Sequence, residues 1–159
     1  MFRISPLSLY IINQVRFRRL VLGLSSKALS RTLEHSPNYV ATIESLIRDA
    51  TYPPHELPKL AAALSCHIHD LLPPDEMNQH SDGSTVEKKV LSLSNDDDAH
   101  LVLEGLIKFG FFDSYKSEAD VANHLFIEGK EESKVITAKL EQFANEGILL
   151  KNNDLFITS

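Results

Sequence analysis

At 159 residues, with 43% hydrophobic and 24% charged positions, the chain has the make-up of a globular protein of one or two small domains. A single cysteine excludes an intramolecular disulfide and suits a reducing compartment. The net charge of −6 is unevenly split, with 8 Lys/Arg against 5 Asp/Glu in residues 1–74 and 8 against 17 in residues 75–159. Only the first half therefore carries the sign that gains affinity from phosphates.

The apolar run at residues 7–15 is too short to span a bilayer. It is followed by Arg16, Arg18 and Arg19, whereas a signal peptide carries its positive charge first. No membrane association is expected, and the expected location is the cytoplasm. Helix one is predicted over residues 8–22, ending at Gly23. Ser25 or Ser26 is placed to cap helix two, whose Leu29 and Leu33, four apart, face a core. Glu34-His35-Ser36 reads as a tight turn. Ser36 then caps helix three, with Pro37 at the first helical position, where its missing N–H costs nothing. Helix three carries an apolar face at Val40, Ile43 and Ile47 and a small polar face at Asn38, Thr42 and Ser45. A rigid helix presented in this way fits the DNA major groove. Leu57, Leu60, Ala61 and Leu64 mark helix four, and a short fifth helix is predicted over residues 68–72.

Pro73-Pro74 closes the first half, giving a domain over residues 1–74. Residues 75–97 are read as a polar linker, within which residues 86–94 fit a short strand and a helix equally well. Ser94-Asn95-Asp96-Asp97-Asp98 supplies capping side chains and places negative charge at a helix N-terminus. Residues 98–159 form a second domain. One helix is marked by Leu103, Leu106, Ile107 and Gly110, another by Val121, Ala122, Leu125 and Phe126, and a third by Ile136, Leu140 and Phe143 before Gly147. Asn152-Asn153-Asp154 then joins two short apolar runs as a hairpin. Three helices followed by a β-hairpin is the layout of a winged helix. Lys130, Lys134, Lys139 and Lys151 are available there, but Glu128, Glu131, Glu132 and Glu141 surround them, which opposes a phosphate surface.

VRFRRLVLGLS at residues 15–25, the Leu29/Leu33 pair, YVATIE at residues 39–44, LPKLAAAL at residues 57–64 and IHDLL at residues 68–72 agree in order and spacing with one family. Residues 8–73 resemble the lambda-repressor-like (Cro/XRE) helix-turn-helix family. The fold class expected is mainly α, a five-helix helix-turn-helix domain followed by a small winged-helix-like α+β domain. The resemblance implies double-stranded DNA as partner. Phosphate contacts would fall on Ser25, Ser26 and Lys27 at the start of helix two and on Arg48 in a later loop. Base-edge readers would fall on Pro37, Asn38 and Thr42, with Ser36, Tyr39 and Ser45 nearby. It also implies an ion pair between Arg19 and Glu44 that fixes helix three on helix one. The chain departs from the family pattern at Ser26, where Gln is usual, at Arg18, where Leu is frequent, and at Glu34, where Gly is usual. If Glu34 adopts positive φ, that departure costs on the order of 1 kcal/mol.

The expected function is sequence-specific transcription regulation as a homodimer, with a protein partner or a small effector on the second domain. The alternative is an interaction module, such as an antitoxin or adaptor, that kept the scaffold and lost DNA affinity. No catalytic residues and no cofactor are expected, because no nucleophile–base pairing or phosphate-cradling Gly loop is readable. Cys66-His67-Ile68-His69-Asp70 lacks a second ligand pair at metal spacing, so no metal is expected.

Overall fold

The computed structural model describes residues 1–74 and 83–159, which form two compact units, Met1–Val90 and Leu91–Ser159. The described chain is mainly helical with small antiparallel sheets, within the α or α+β class expected. None of its described helices is long and apolar enough to cross a membrane.

The first unit starts with a two-residue strand, β1 (Arg3–Ile4), ahead of α1 (Pro6–Val21). The Ser5 hydroxyl accepts from the Ser8 amide at 3.1 Å, and Pro6 occupies the first turn, so α1 starts two residues before the predicted position. Its inner face buries Ile11, Ile12 and Val15. After Gly23 in the left-handed conformation (φ 71°), Ser25 caps α2 (Ser26–Thr32) by accepting from the Ala28 amide at 3.0 Å. Leu29 and Leu33 are buried with Val40 and Ile43 of α3 (Tyr39–Glu44). A 3₁₀ turn (Pro54–Glu56) leads into α4 (Leu57–Ala63), whose Leu60 and Ala61 are buried. The predicted fifth helix is instead a 3₁₀ turn (Ile68–Leu71), sealed at its start by the His67 amide donating to Asp70 at 2.9 Å. Four residues ahead of Pro73-Pro74 leave no room for a longer α-helix.

The polar linker predicted over residues 75–97 does not hold over its described part, residues 83–97. Residues 75–82 lie outside the described residues. Beyond them, β2 (Val86–Glu87) pairs antiparallel with β1 in the register Arg3↔Glu87 and Ile4↔Val86, and Val90 packs on the first core. The first unit therefore extends to residue 90 rather than 74. The second unit begins at Leu91, a buried residue, rather than at 98.

In the second unit, α5 (Asp96–Lys108) is capped by Asn95, whose side chain accepts from the Asp98 amide at 3.1 Å. Gly110 (φ 82°) turns the chain into a 3₁₀ segment (Phe111–Asp113). β3 (Lys116–Ser117), which no periodicity announces, precedes α6 (Glu118–His124). Ser117 and Asp120 form a reciprocal capping box there, with bonds of 2.8 and 3.1 Å. α7 (Lys130–Asn145) buries Ile136, Leu140 and Phe143 and stops before Gly147 (φ 75°). β4 (Leu149–Asn152) and β5 (Leu155–Thr158) form the hairpin, with Asn152 opposite Leu155 and Asn153 at positive φ in the turn. The strand order is β3-β5-β4. Phe126, predicted on the inner stripe of the second helix, is exposed instead, because α6 ends at His124 and Phe126 takes φ 57°.

Candidate nucleic-acid interface

α3 has six residues and could not persist alone. Val40 and Ile43 bury its inner face, and side chains from α2 and α1 hold its two ends. At its start the fully buried Ser30 hydroxyl donates to the Ser26 carbonyl (2.8 Å) and accepts from the Val40 amide (3.0 Å). At its end the Glu44 carboxylate is gripped by Arg19, with Nε donating to Oε1 at 2.7 Å and Nη2 to Oε2 at 2.5 Å. Arg16 Nη1 adds a third bond to Oε2 at 2.6 Å, and Arg19 also donates to the Leu24 carbonyl at 3.2 Å. The Arg19 and Glu44 side chains are only 6% and 4% exposed, so this is a desolvated fork between α1 and α3.

A second polar group sits beside the first turn of α3. The His35 imidazole donates to the buried Glu56 carboxylate at 2.6 Å and stacks on the Tyr39 ring at 3.7 Å between centroids. Tyr39 in turn meets the edge of Tyr52. Burial, with the Glu56 carboxylate adding, raises the Tyr39 phenol above its ordinary value. Sequence reasoning gave no sign of Ser30, Arg16 or the His35–Glu56 bond. Ser30 is distinguished only by being a serine between two core leucines, and His35 and Glu56 are 21 residues apart without a recognisable spacing.

The residues proposed for DNA contact divide into two groups. Lys27, Ser36, Pro37, Asn38, Thr42 and Arg48 are exposed, and Ser25, Ser26 and Ser45 are half-buried. The helix cap expected at Ser36 falls at Asn38, because the Tyr39 amide first closes a turn onto the Ser36 carbonyl at 3.0 Å. Asn38 makes no capping bond with its side chain, because its backbone (φ −94°, ψ 0°) is not in the extended conformation from which Ser5, Ser25 and Asn95 cap their helices. Its carboxamide therefore stands exposed at the start of α3. Tyr39 differs from the expectation: its hydroxyl is buried without a hydrogen-bond partner, so the ring packs the helix and offers no polar atom outward. Ser45 is extended (ψ 138°) and ends α3, and its hydroxyl accepts from the Ile47 amide at 3.3 Å. Ile47, expected on the buried face, is 76% exposed, and Leu46 is 58% exposed.

In the second unit three of the four available lysines are engaged by acidic groups. Lys139 is buried and bonded to Asp96 at 2.7 Å, Lys134 lies 3.5 Å from Glu131, and Lys151 donates to Glu141. Among the described residues no three His, Cys, Asp or Glu side chains converge on a common point. Comparison with family models, with curated proteins and with solved structures returns no match.

Proposed function

We propose that this protein is a sequence-specific DNA-binding regulator of the lambda-repressor-like helix-turn-helix type. α3 would enter the major groove and the second unit, winged-helix-like, would dimerise or bind a partner. The observation that carries this reading is the uncommitted Asn38 carboxamide at the exposed start of a helix anchored at both ends. An Asn held in that way is suited to a bidentate bond with adenine, and exposed Thr42, one turn on, to a base acceptor or a thymine methyl. Lys27 and Arg48 flank it in sequence as phosphate contacts, while Ser25 and Ser26 offer the start of α2. One such unit covers little DNA, so tight binding calls for a homodimer reading half-sites about one helical turn apart.

Selection from random-sequence DNA with the full chain tests this reading. Enrichment of a defined site is expected. Asn38→Ala should then cost about 1–3 kcal/mol of specific binding and relax preference at one base pair. Lys27→Ala should weaken all sequences alike and reduce the salt slope by about one. No enrichment, or two variants that bind like the parent, overturns the proposal.

A second reading is a protein-interaction module that retains the scaffold. It draws on Leu46 and Ile47, whose exposed apolar side chains lie directly after α3, where a DNA-facing surface would be polar. It predicts flat, salt-independent DNA titrations and loss of partner capture in Ile47→Ser.

A further inference from the structure

The segment after the undescribed residues reaches back to the loop that follows α3. Lys88 is 3% exposed, and its ammonium donates to the Arg48 carbonyl at 2.9 Å and the Ala50 carbonyl at 3.0 Å. The backbone of this segment is itself tied down. The Lys88 amide donates to the Phe2 carbonyl at 2.9 Å, and the Lys89 carbonyl accepts from the Asn13 side chain at 3.2 Å. With the β1–β2 pairing, these bonds fix the point from which the Lys88 side chain extends.

A buried ammonium is costly unless its protons find acceptors. Burial pushes the Lys88 amine below its ordinary value, and the Asp49 carboxylate opposes that shift. A nonpolar side chain at the same site would leave both carbonyls without this donor. They belong to residues 48 and 50, in a loop without regular structure, and have no ladder partner there. Bridging them clamps a three-residue arc whose first member is Arg48, a side chain exposed to solvent.

We propose that Lys88 is a positioning residue for DNA binding: it locks the loop backbone at residues 48–50 so that the Arg48 guanidinium is held toward a phosphate. The inference rests on the regulator reading above and extends it, because it makes residues beyond 74 part of the binding unit. Lys88 itself touches no DNA and acts through Arg48.

The test is a double-mutant cycle on the full chain, with Lys88→Met, Lys88→Gln, Arg48→Ala and the Lys88→Met/Arg48→Ala pair. The readouts are the salt dependence of binding to the selected site and the backbone order of residues 48–50 from amide relaxation. Arg48→Ala should reduce the slope of log K against log salt by about one. Lys88→Met should produce the same reduction and lower backbone order across the loop while α3 stays rigid. In the Arg48→Ala background Lys88→Met should change the slope no further, the non-additivity expected when one residue works through the other. Lys88→Gln, which keeps a donor on a shorter stem, should recover part of the slope. It also serves if the methionine variant fails to fold. The inference is overturned by a full slope in Lys88→Met alongside a reduced one in Arg48→Ala, by additive losses in the pair, or by unchanged backbone order at the loop in whichever Lys88 variant folds. Failure of the parent chain to select any site is a different result: it removes the regulator reading and the phosphate role together.

Discussion

Glu34 sits at φ 62° in the turn between α2 and α3, a conformation whose cost for a residue with a Cβ is of order 1 kcal/mol. Its carboxylate lies 3.7 Å from Lys59, but both side chains are exposed, so little is lost with that pair. Glu34→Gly is therefore expected to stabilise the protein by about 0.5–1 kcal/mol, the gain being reduced by the greater freedom of the unfolded glycine chain. A urea midpoint unchanged or lowered in that variant would remove the strain argument. This strain was legible, because the family that residues 8–73 resemble has Gly where this chain has Glu. Tyr52 was not legible, since nothing local marks a tyrosine whose hydroxyl is buried without a partner. Tyr52→Phe should be neutral or stabilising by up to about 1 kcal/mol, since an unsatisfied buried group is removed. Burial pushes the Tyr52 phenol well above its ordinary value, with the Glu44 carboxylate adding and the Arg19 guanidinium opposing. In the unfolded chain that phenol ionises from about pH 10. Above that pH the folded state holds a proton that the unfolded state has lost, so stability falls as pH rises. Melting temperatures between pH 9 and 11 should accordingly fall less steeply in Tyr52→Phe than in the parent.

At the scale of elements, the ends of α3 explain both what the sequence predicted well and what it did not. Val40 and Ile43, three apart, gave the buried face correctly, because the helical period holds between them. The same period extended to Ile47 fails, because the backbone turns extended at Ser45 and the next side chains leave the core. Helix termination here depends on tertiary contacts that local periodicity does not carry. Glu44 is the chief of these contacts, since one carboxylate accepts three bonds from two arginines of α1. Glu44→Ala leaves the Arg19 guanidinium buried and without its counter-charge, and a broken buried pair typically costs about 3–5 kcal/mol. Arg16, at 21% side-chain exposure, can turn to water and will not add much to that loss. The predicted signature is a urea midpoint lowered far more than in Lys59→Ala, an exposed pair. Equal, small shifts in the two variants would show that the fork contributes geometry and little stability.

Across the whole chain, the charge partition in the sequence marks two units, but it does not place their boundary. Pro73-Pro74 and the polar stretch after it read as the end of a domain, and a strand of two residues, Val86–Glu87, is too short for an alternating pattern to register. What assigns residues 86–90 to the first unit is long-range: pairing with residues 3 and 4, the Asn13–Lys89 bond, the two carbonyls under Lys88 and the packing of Val90. A chain cut at residue 74 loses all of these and uncovers the edge of β1 at Ile4, a buried core residue. Some of the loss is offset, because a desolvated ammonium also leaves the structure, yet the freed loop carbonyls must then find water. Residues 1–90 should therefore unfold cooperatively at a higher urea concentration than residues 1–74, by at least about 1–2 kcal/mol in stability. Lys88→Met within residues 1–90 should recover only part of that difference, since the strand pairing stays. Coincident midpoints for the two fragments would mean that residues 83–90 lie against the unit without stabilising it.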